Sequence, residues 1–332
     1  MNNVPEMTIL EKYIRQFAHL RRAPGQTWTD ATRKQAPHKP LLLLAVMDLI
    51  ARNVITSNLI DVTGDLVELN DLFTGYWRRV VPITQKSSIA FPFSRLHNEP
   101  FWELVPVSGR EITREAINDI TSVSQLRELA LGARLDDDLF LLLQSPENRM
   151  ALRQVLLQSC FSEEAQRALQ EQAEINAEAF SYNLELVQMA HQPRVKEILE
   201  AEKYKPAIRY QGFRRAVVTT YDHRCALCGV RIVTSEGHTV VDAAHIVPWS
   251  VNRNDDIRNG MALCKLCHWA FDEGMMGVSD SYCVIMSRQI GADPNVPGFL
   301  LTLSGRGIIP PGDKELWPEQ KYLGWHRREW RL

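Results

Sequence analysis

The chain has 332 residues, room for two or three domains, and its 45% hydrophobic and 23% charged residues place it among folded proteins rather than disordered ones. A formal net charge of −2 excludes a protein that attracts polyanions through its overall charge, and apolar runs such as Leu41–Val46 are far too short for a membrane span. No basic stretch followed by an apolar core opens the sequence, so the expectation is a cytoplasmic protein with no membrane partner.

The near-neutral total hides an asymmetry. Residues 1–108 carry 12 Lys and Arg against 10 Asp and Glu, residues 109–204 carry 10 against 17, and residues 205–332 carry 16 against 13. Phosphate contact needs a local basic face, so the two ends could engage nucleic acid while the acidic middle would not. These segments are the expected domains: a recognition domain over 1–108, a helical spacer over 109–204 and a catalytic domain over 205–332.

In chain order, Leu41–Ile50 is apolar nearly all round and predicts a buried helix begun by Pro40. Ile89–Phe93 and Phe101–Val107 are rich in aromatic and β-branched residues and predict strands. The middle segment reads as helical, with Ser162 as N-cap ahead of Glu163 and Glu164, a long run to Met189, and an interruption at Pro193 before Val195–Lys203. It suits a spacer or a dimerisation element, and a homodimer is one expected assembly. Val240–Pro248 reads as a strand running into a loop, and the last forty residues as loop-rich. No internal repeat is present.

Four of the six cysteines form two Cys-x-x-Cys pairs, Cys225 with Cys228 and Cys264 with Cys267, separated by 35 residues. Each pair can turn two thiolates toward one ion, and two pairs complete a tetrahedral zinc site with no position open for substrate. The metal here is therefore expected to be structural, against the alternatives of a redox pair or unrelated thiols. Cys160 and Cys283 read as buried free thiols.

Around these pairs lie the residues that carry chemistry. Thirteen residues separate His245 from Asn259 and eight separate Asn259 from His268. Histidine titrates near neutral pH and can accept a proton there, and one hard divalent cation can neutralise charge developing on a phosphate. His245, Asn259 and His268 between the cysteine knuckles resemble the HNH motif of ββα-metal nucleases. The stretches AAHIVPW, NGMALCKLCHWAFDEG and YLGWHRREW are similar to the restriction-enzyme branch of that family. The resemblance covers 205–332 and implies His245 as the general base, Asn259 as the residue that holds the loop and orients it, and His268 as a ligand of a catalytic Mg²⁺ or Mn²⁺, with other divalent ions open. Where many such sites carry Asp or His just before the base, this sequence has Ala244. Strand alternation puts Asp242 on the side of Ala244, and Asp272 stands one helical turn after His268, so these two are candidate replacement ligands; a salt-bridge role fits Asp272 as well. Trp249 and Trp269 read as core. Arg209, Arg214 and Arg215 are candidate phosphate contacts, and His326, Arg327 and Arg328 a similar set.

The segment Ala36–Leu44, with Phe91-Pro92-Phe93-Ser-Arg95-Leu-His97 and Phe101–Leu104, resembles the sulfur-binding domain of phosphorothioate-dependent type IV restriction endonucleases over about residues 10–107. Sulfur in place of a non-bridging oxygen is larger, softer and less strongly hydrated, so an apolar pocket accepts it while penalising desolvation of the oxygen. Phe91, Pro92 and Phe93 are the expected pocket, although the family often carries a hydroxyl-bearing aromatic where Phe91 stands. Packing at a strand end is the other reading of these three. Arg33, Lys34, His38, Lys39 and Arg95 are the expected holders of the flanking phosphates.

The sequence thus predicts an α+β multidomain chain: a mixed α/β recognition domain, a helical spacer and a C-terminal ββα-metal HNH domain with a four-cysteine zinc site. The implied function is metal-dependent cleavage of phosphorothioate-modified double-stranded DNA in bacterial defence. Its rivals are an HNH nuclease for methylated or unmodified DNA and an inactive, zinc-stabilised DNA-binding protein.

Overall fold

A computed structural model describes residues 7–64, 66–191, 204–288 and 298–332. The chain divides into two units, Met1–Glu174 with Thr234–His238, and Ile175–Val233 with Thr239–Leu332. The division falls inside a long helix, between residues 174 and 175.

The first unit opens with α1 (Ile9–Ala18), whose start is fixed by a reciprocal cap between Thr8 and Glu11. α2 (His38–Ala51) is the helix expected from the leucine run, and Pro40 sits in its first turn, where no backbone donor is needed. All its residues from Lys39 to Ile50 are buried. Two of these are charged and both are paired: Lys39 with Glu99, and Asp48 with Arg153 and the Tyr76 hydroxyl. There follow β1 (Leu59–Asp61), α3 (Val67–Val80), α4 (Ala90–Arg95), β2 (Trp102–Pro106), α5 (Arg114–Asn118), α6 (Val123–Leu129), β3 (Ala130–Leu135), α7 (Asp137–Gln144), α8 (Pro146–Cys160) and α9 (Glu163–Ala190).

The three strands form an antiparallel sheet in the order β1-β3-β2. β3 lies in the segment expected to be wholly helical and is the central strand, which ties residues beyond 108 into the first unit. Its burial alternates in the main between covered and exposed positions, as a half-buried strand requires. The aromatic stretch Ile89–Phe93, expected as a strand, belongs to α4. Ser88 Oγ accepts from the Ala90 backbone N–H there, and Pro92 falls where its missing N–H costs nothing. Ser162 caps α9 through Ala165, as expected. Pro193 and Val195–Lys203 lie outside the described residues. Cys160 is buried, and burial pushes its thiol up to about 11; Cys283 is only half-buried.

In the second unit α10 (Pro206–Thr220) packs on a two-stranded antiparallel sheet of β4 (Val241–His245) and β5 (Gly260–Cys264), followed directly by α12 (Lys265–Asp272); between the strands lies the short α11 (Trp249–Asn252). A second hairpin of β6 (Met276–Val278) and β7 (Val284–Met286), the short α13 (Gly298–Leu301) and α14 (Gln320–Trp330) complete it. α14 gives the expected loop-rich tail a regular helix that buries Tyr322, Leu323, Gly324 and His326. Among the described residues no helix is long and apolar enough to cross a membrane.

Candidate active site

The strand–strand–helix unit places four thiols and three polar side chains in fixed relation. Cys225 and Cys228 sit on a tight turn closed by the Gly229 N–H to the Cys225 carbonyl, with Gly229 in the left-handed region that a side chain would strain. Cys264 ends β5 and caps α12, and Cys267 lies in the first turn of that helix. The four sulfurs lie within 4.8 Å of one another, Cys228 and Cys264 at 3.7 Å, a grouping that could hold a metal ion. Hydrogen bonds from Cys264 and Cys267 hold the Cys225 thiol far below its ordinary value, while burial pushes Cys228 up to about 12. Four such sulfurs cannot all ionise together without a cation among them, which fits a soft divalent ion.

His245 is the last residue of β4 and pairs across the ladder with Gly260, the first of β5. Its ring is held on two sides. The Phe213 ring of α10 stacks on it at 3.9 Å and 9°, and Asp255 Oδ1 stands 2.8 Å from its Nε2. Asn259 is wholly buried and braces the intervening loop: its Oδ1 accepts from the Val247 N–H at 2.9 Å, and its Nδ2 donates to the Val247 and Asn254 carbonyls, each at 3.1 Å. Its backbone carbonyl also accepts from the Ile246 N–H. Because that loop carries Asp255, Asn259 touches His245 only through its neighbours. His268 and Asp272 face each other one turn apart on α12, Nε2 to Oδ2 at 3.4 Å, and burial raises the Asp272 carboxyl. A cleft of about 470 Å³ has His245, Trp249, His268, Asp272, Glu329 and Trp330 in its walls. A histidine and a carboxylate side by side in an open cleft suit a hard divalent cation.

Asp242 does not join them. It lies across the strand from the cleft-lining Ala243 and His245, where Arg214 donates to its Oδ1 at 2.9 Å and Tyr210 reaches its Oδ2 at 3.4 Å. Alternation placed Asp242 beside Ala244 correctly, but Ala244 is itself fully buried, so that side of β4 faces α10 and core rather than cleft. The arginines expected on phosphate are engaged as well. Arg209 donates to Asp255 and lies over the Trp249 ring, Arg214 holds Asp242, and the Arg215 guanidinium stands over Phe180. Arg327 donates to the Val278 carbonyl and pairs with Asp280, and His326 is buried against Phe271, 3.7 Å between rings. Trp269, expected in the core, is 51% exposed on the outer face of α12. Asp255 went unnoticed in the sequence. Nothing in its local pattern sets it apart from Asp256 beside it, and only the fold brings it under the imidazole.

The residues expected to read sulfur fall differently from a three-residue pocket. Phe93 is fully buried against Trp102 and Pro92 is buried beside it, while Phe91 is exposed. Phe91 instead closes an aromatic cluster in which His38 meets Phe91 and Trp77 at 4.8 Å each and Trp28 at 5.3 Å. Burial lowers His38 to about 4, so the imidazole is neutral, and its Nδ1 is buried without a hydrogen-bond partner. Lys39 is committed to Glu99. Arg33 donates to the Gln158 and Phe161 carbonyls, and Arg95 to those of Ile117, Asn118 and Ile120. Three of the five expected phosphate holders are therefore structural clamps. Lys34 keeps a 75% exposed side chain in a surface pair with Asp30, and Arg95 still lays its charge 4.3 Å from the Phe91 ring centre.

A strand-end histidine, a buried loop asparagine and a helical histidine on a ββα frame, beside four clustered thiols, form the arrangement of an HNH endonuclease domain. Comparison with known families agrees: residues 225–279 match the HNH endonuclease model, and residues 13–177 match the model of the ScoMcrA-like DNA sulfur-binding domain. The chain thus joins a DNA sulfur-binding domain to an HNH endonuclease domain. Among solved structures, a modification-dependent TagI restriction endonuclease aligns at 21% identity and a TM-score of 0.27, over 35% of this chain and 36% of that one. The chain therefore spans about a third of that enzyme's length. A search of curated proteins finds no match.

Proposed function

We propose that this protein is a modification-dependent endonuclease that hydrolyses phosphodiester bonds in double-stranded DNA carrying phosphorothioate linkages. What carries the reading is the aromatic cluster around Phe91 and His38 within the stretch that matches a DNA sulfur-binding family. A neutral imidazole among three aromatic rings offers a poorly hydrated surface that suits a soft sulfur and penalises a non-bridging oxygen stripped of water. The Arg95 guanidinium behind Phe91 and the exposed Lys34 supply positive field for the linkage's charge.

In the cleft, His245 accepts the proton of the attacking water, held in register by Phe213 and by the loop that Asn259 braces. His268 and Asp272 would hold a Mg²⁺ or Mn²⁺ ion. When bound, that ion neutralises charge on the phosphorane and on the leaving 3′ oxygen. With Asp242 turned to α10 and Ala244 contributing none, these two residues are the proposed protein ligands, with Glu329 a further carboxylate in the cleft wall. The Cys225, Cys228, Cys264 and Cys267 site would take zinc and fix the start of α12, hence the position of His268. Such an enzyme acts in the cytoplasm on incoming DNA, and cutting both strands would call for two copies working as a homodimer.

Two plasmids identical except for phosphorothioate modification, incubated with Mg²⁺ or Mn²⁺, test the reading. Cutting confined to the modified plasmid and lost in His245→Ala is the expected result. Equal cutting of both would remove sulfur from the proposal and leave an HNH nuclease for methylated or ordinary DNA. Tight binding without cutting, under every divalent ion, would leave a zinc-stabilised DNA-binding protein.

A further inference from the structure

We propose that Asp255 is the positioning residue of the nuclease site: it fixes the tautomer of His245, so that Nδ1 is the atom that takes the proton from water. The inference rests on His245 being the base. Asp255 is fully covered from solvent, and both its oxygens are occupied, each by a different class of partner. Oδ2 accepts from Arg209 Nε at 2.6 Å and from the Tyr182 hydroxyl at 2.9 Å. Oδ1 faces His245 Nε2 alone, at 2.8 Å.

Burial by itself would push this carboxyl up, but the hydrogen bonds from His245 and Arg209, with the guanidinium's charge, hold it below its ordinary value. It is an ionised acceptor with no proton to give, so the hydrogen in the Nε2–Oδ1 contact belongs to the imidazole. A neutral imidazole protonated on Nε2 keeps its lone pair on Nδ1. The Phe213 ring, nearly parallel to it, leaves rotation in its own plane as the imidazole's main freedom, and the Asp255 contact removes that. When Nδ1 takes a proton, the carboxylate is already in place to stabilise the imidazolium. Arg209 and Tyr182 keep the carboxylate oriented meanwhile, and they reach it from α10 and α9.

A simpler reading makes Asp255 only a buried anchor joining α9, α10 and the loop after β4. The two readings part at Asp255→Asn. Two donors face Oδ2, so the asparagine must turn its carbonyl oxygen to Arg209 and Tyr182 and its NH₂ to His245. The NH₂ needs an acceptor, which moves the imidazole's hydrogen to Nδ1 and blocks the base. By analogy with the aspartate-to-asparagine change in a Ser-His-Asp triad, kcat should fall by about 10²- to 10⁴-fold, with KM and DNA affinity nearly unchanged.

The experiment measures kcat and KM for the wild-type chain, Asp255→Asn and His245→Ala, and reads the His245 tautomer in the first two by ¹⁵N NMR at alkaline pH. The expected result is Nε2–H in the wild type, Nδ1–H in Asp255→Asn, and a loss in kcat alone. Wild-type His245 protonated on Nδ1 overturns the proposal even if the variant fails to fold. So does an Asp255→Asn enzyme with unchanged kcat when His245→Ala is dead. If His245→Ala cleaves normally, the reading of His245 as base is what fails, and the tautomer assignment loses its function with it.

Discussion

The side chain that Gly260 lacks is the space in which Phe213 rests: a Cβ there would lie 2.9 Å from Phe213 Cζ and 2.6 Å from Val217 Cγ2. Gly260 is extended, with φ at −125°, so alanine is no strain on its backbone and only the room is at issue. Since Phe213 stacks on His245, which pairs with Gly260 across the ladder, a methyl group here acts on the catalytic ring through one intermediary. Gly260→Ala should destabilise the second unit by about 1–3 kcal/mol, the usual result of overpacking, and lower kcat at least about tenfold. Thermal melts and single-turnover cleavage check it; a melt that shifts with kcat unchanged would show that the imidazole is held without the ring.

Removing the cation from the four-cysteine site should release the start of α12 and with it His268. Cys225→Ser, or a strong chelator, is expected to cost the second unit several kcal/mol. The first unit has its own core, from Tyr13 and Phe17 to Leu169, and should keep a melting transition. Metal analysis beside calorimetry decides this. Unchanged metal content and an unchanged second transition in Cys225→Ser would rule out the proposed staple.

His268→Ala and Asp272→Ala should each abolish cleavage in Mg²⁺ or Mn²⁺ while leaving the four-thiol metal bound. Asp242→Ala should instead leave the divalent-ion dependence of the rate as it is and lower stability modestly by releasing Arg214 from a half-buried pair worth about 1 kcal/mol. A titration of cleavage against ion concentration for the three variants checks the assignment, and a rise in the ion requirement for Asp242→Ala would return that residue to the ligand set.

Much of this second unit could be read from the sequence, because its chemistry depends on spacing. Two Cys-x-x-Cys turns, a histidine at a strand end and another after the second turn reveal themselves by local pattern alone, and ββα follows from them. Asp255 could not be read so. Its role arises from Arg209 and Tyr182, 46 and 73 residues away, and a carboxylate's partners over such distances leave no local mark. The same limit governs the first unit. Phe91-Pro92-Phe93 has strand composition, but the Ser88 hydroxyl on the Ala90 N–H and a proline in the first turn suit a helix, which separates an exposed Phe91 from a buried Phe93. Of the cations chosen for their nearness to that motif, Arg33 and Arg95 are clamps on carbonyls and Lys39 is in a buried ion pair. Charge in a sequence does not say whether its partner is solvent, ligand or backbone.

Stability of the first unit should depend on His38. Its imidazole titrates at about 4 in the fold against an ordinary 6.5, because burial disfavours the charged form. The unfolded chain therefore binds a proton that the folded one refuses between these values. The folded state's advantage is whole above pH 6.5 and declines as pH falls through that window toward 4, by at most about 3 kcal/mol. His38→Gln should flatten this slope between pH 6.5 and 4 in denaturant titrations of the two proteins. Parallel slopes would mean that His38 titrates normally in the fold and that the cluster is wetter than its packing indicates.

Specificity for sulfur should reside in Phe91 rather than in the residues on either side of its helix. Phe91 is exposed and touches His38, so Phe91→Ala removes apolar surface from the proposed pocket at little cost to the core. Phe93 is fully buried against Trp102, and Phe93→Ala should destabilise the unit by about 3–5 kcal/mol whatever DNA is offered. The measurement is the ratio of Kd for ordinary to phosphorothioate duplexes of one sequence, at one salt concentration, because phosphate contacts alone change affinity with salt. In Phe91→Ala the ratio should collapse toward one while binding of ordinary DNA stays nearly constant. A ratio preserved in Phe91→Ala would move the sulfur contact elsewhere on the domain. A fall in affinity for both duplexes alike would make Phe91 a general DNA contact, since an interaction that does not distinguish sulfur from oxygen cannot confer preference between them.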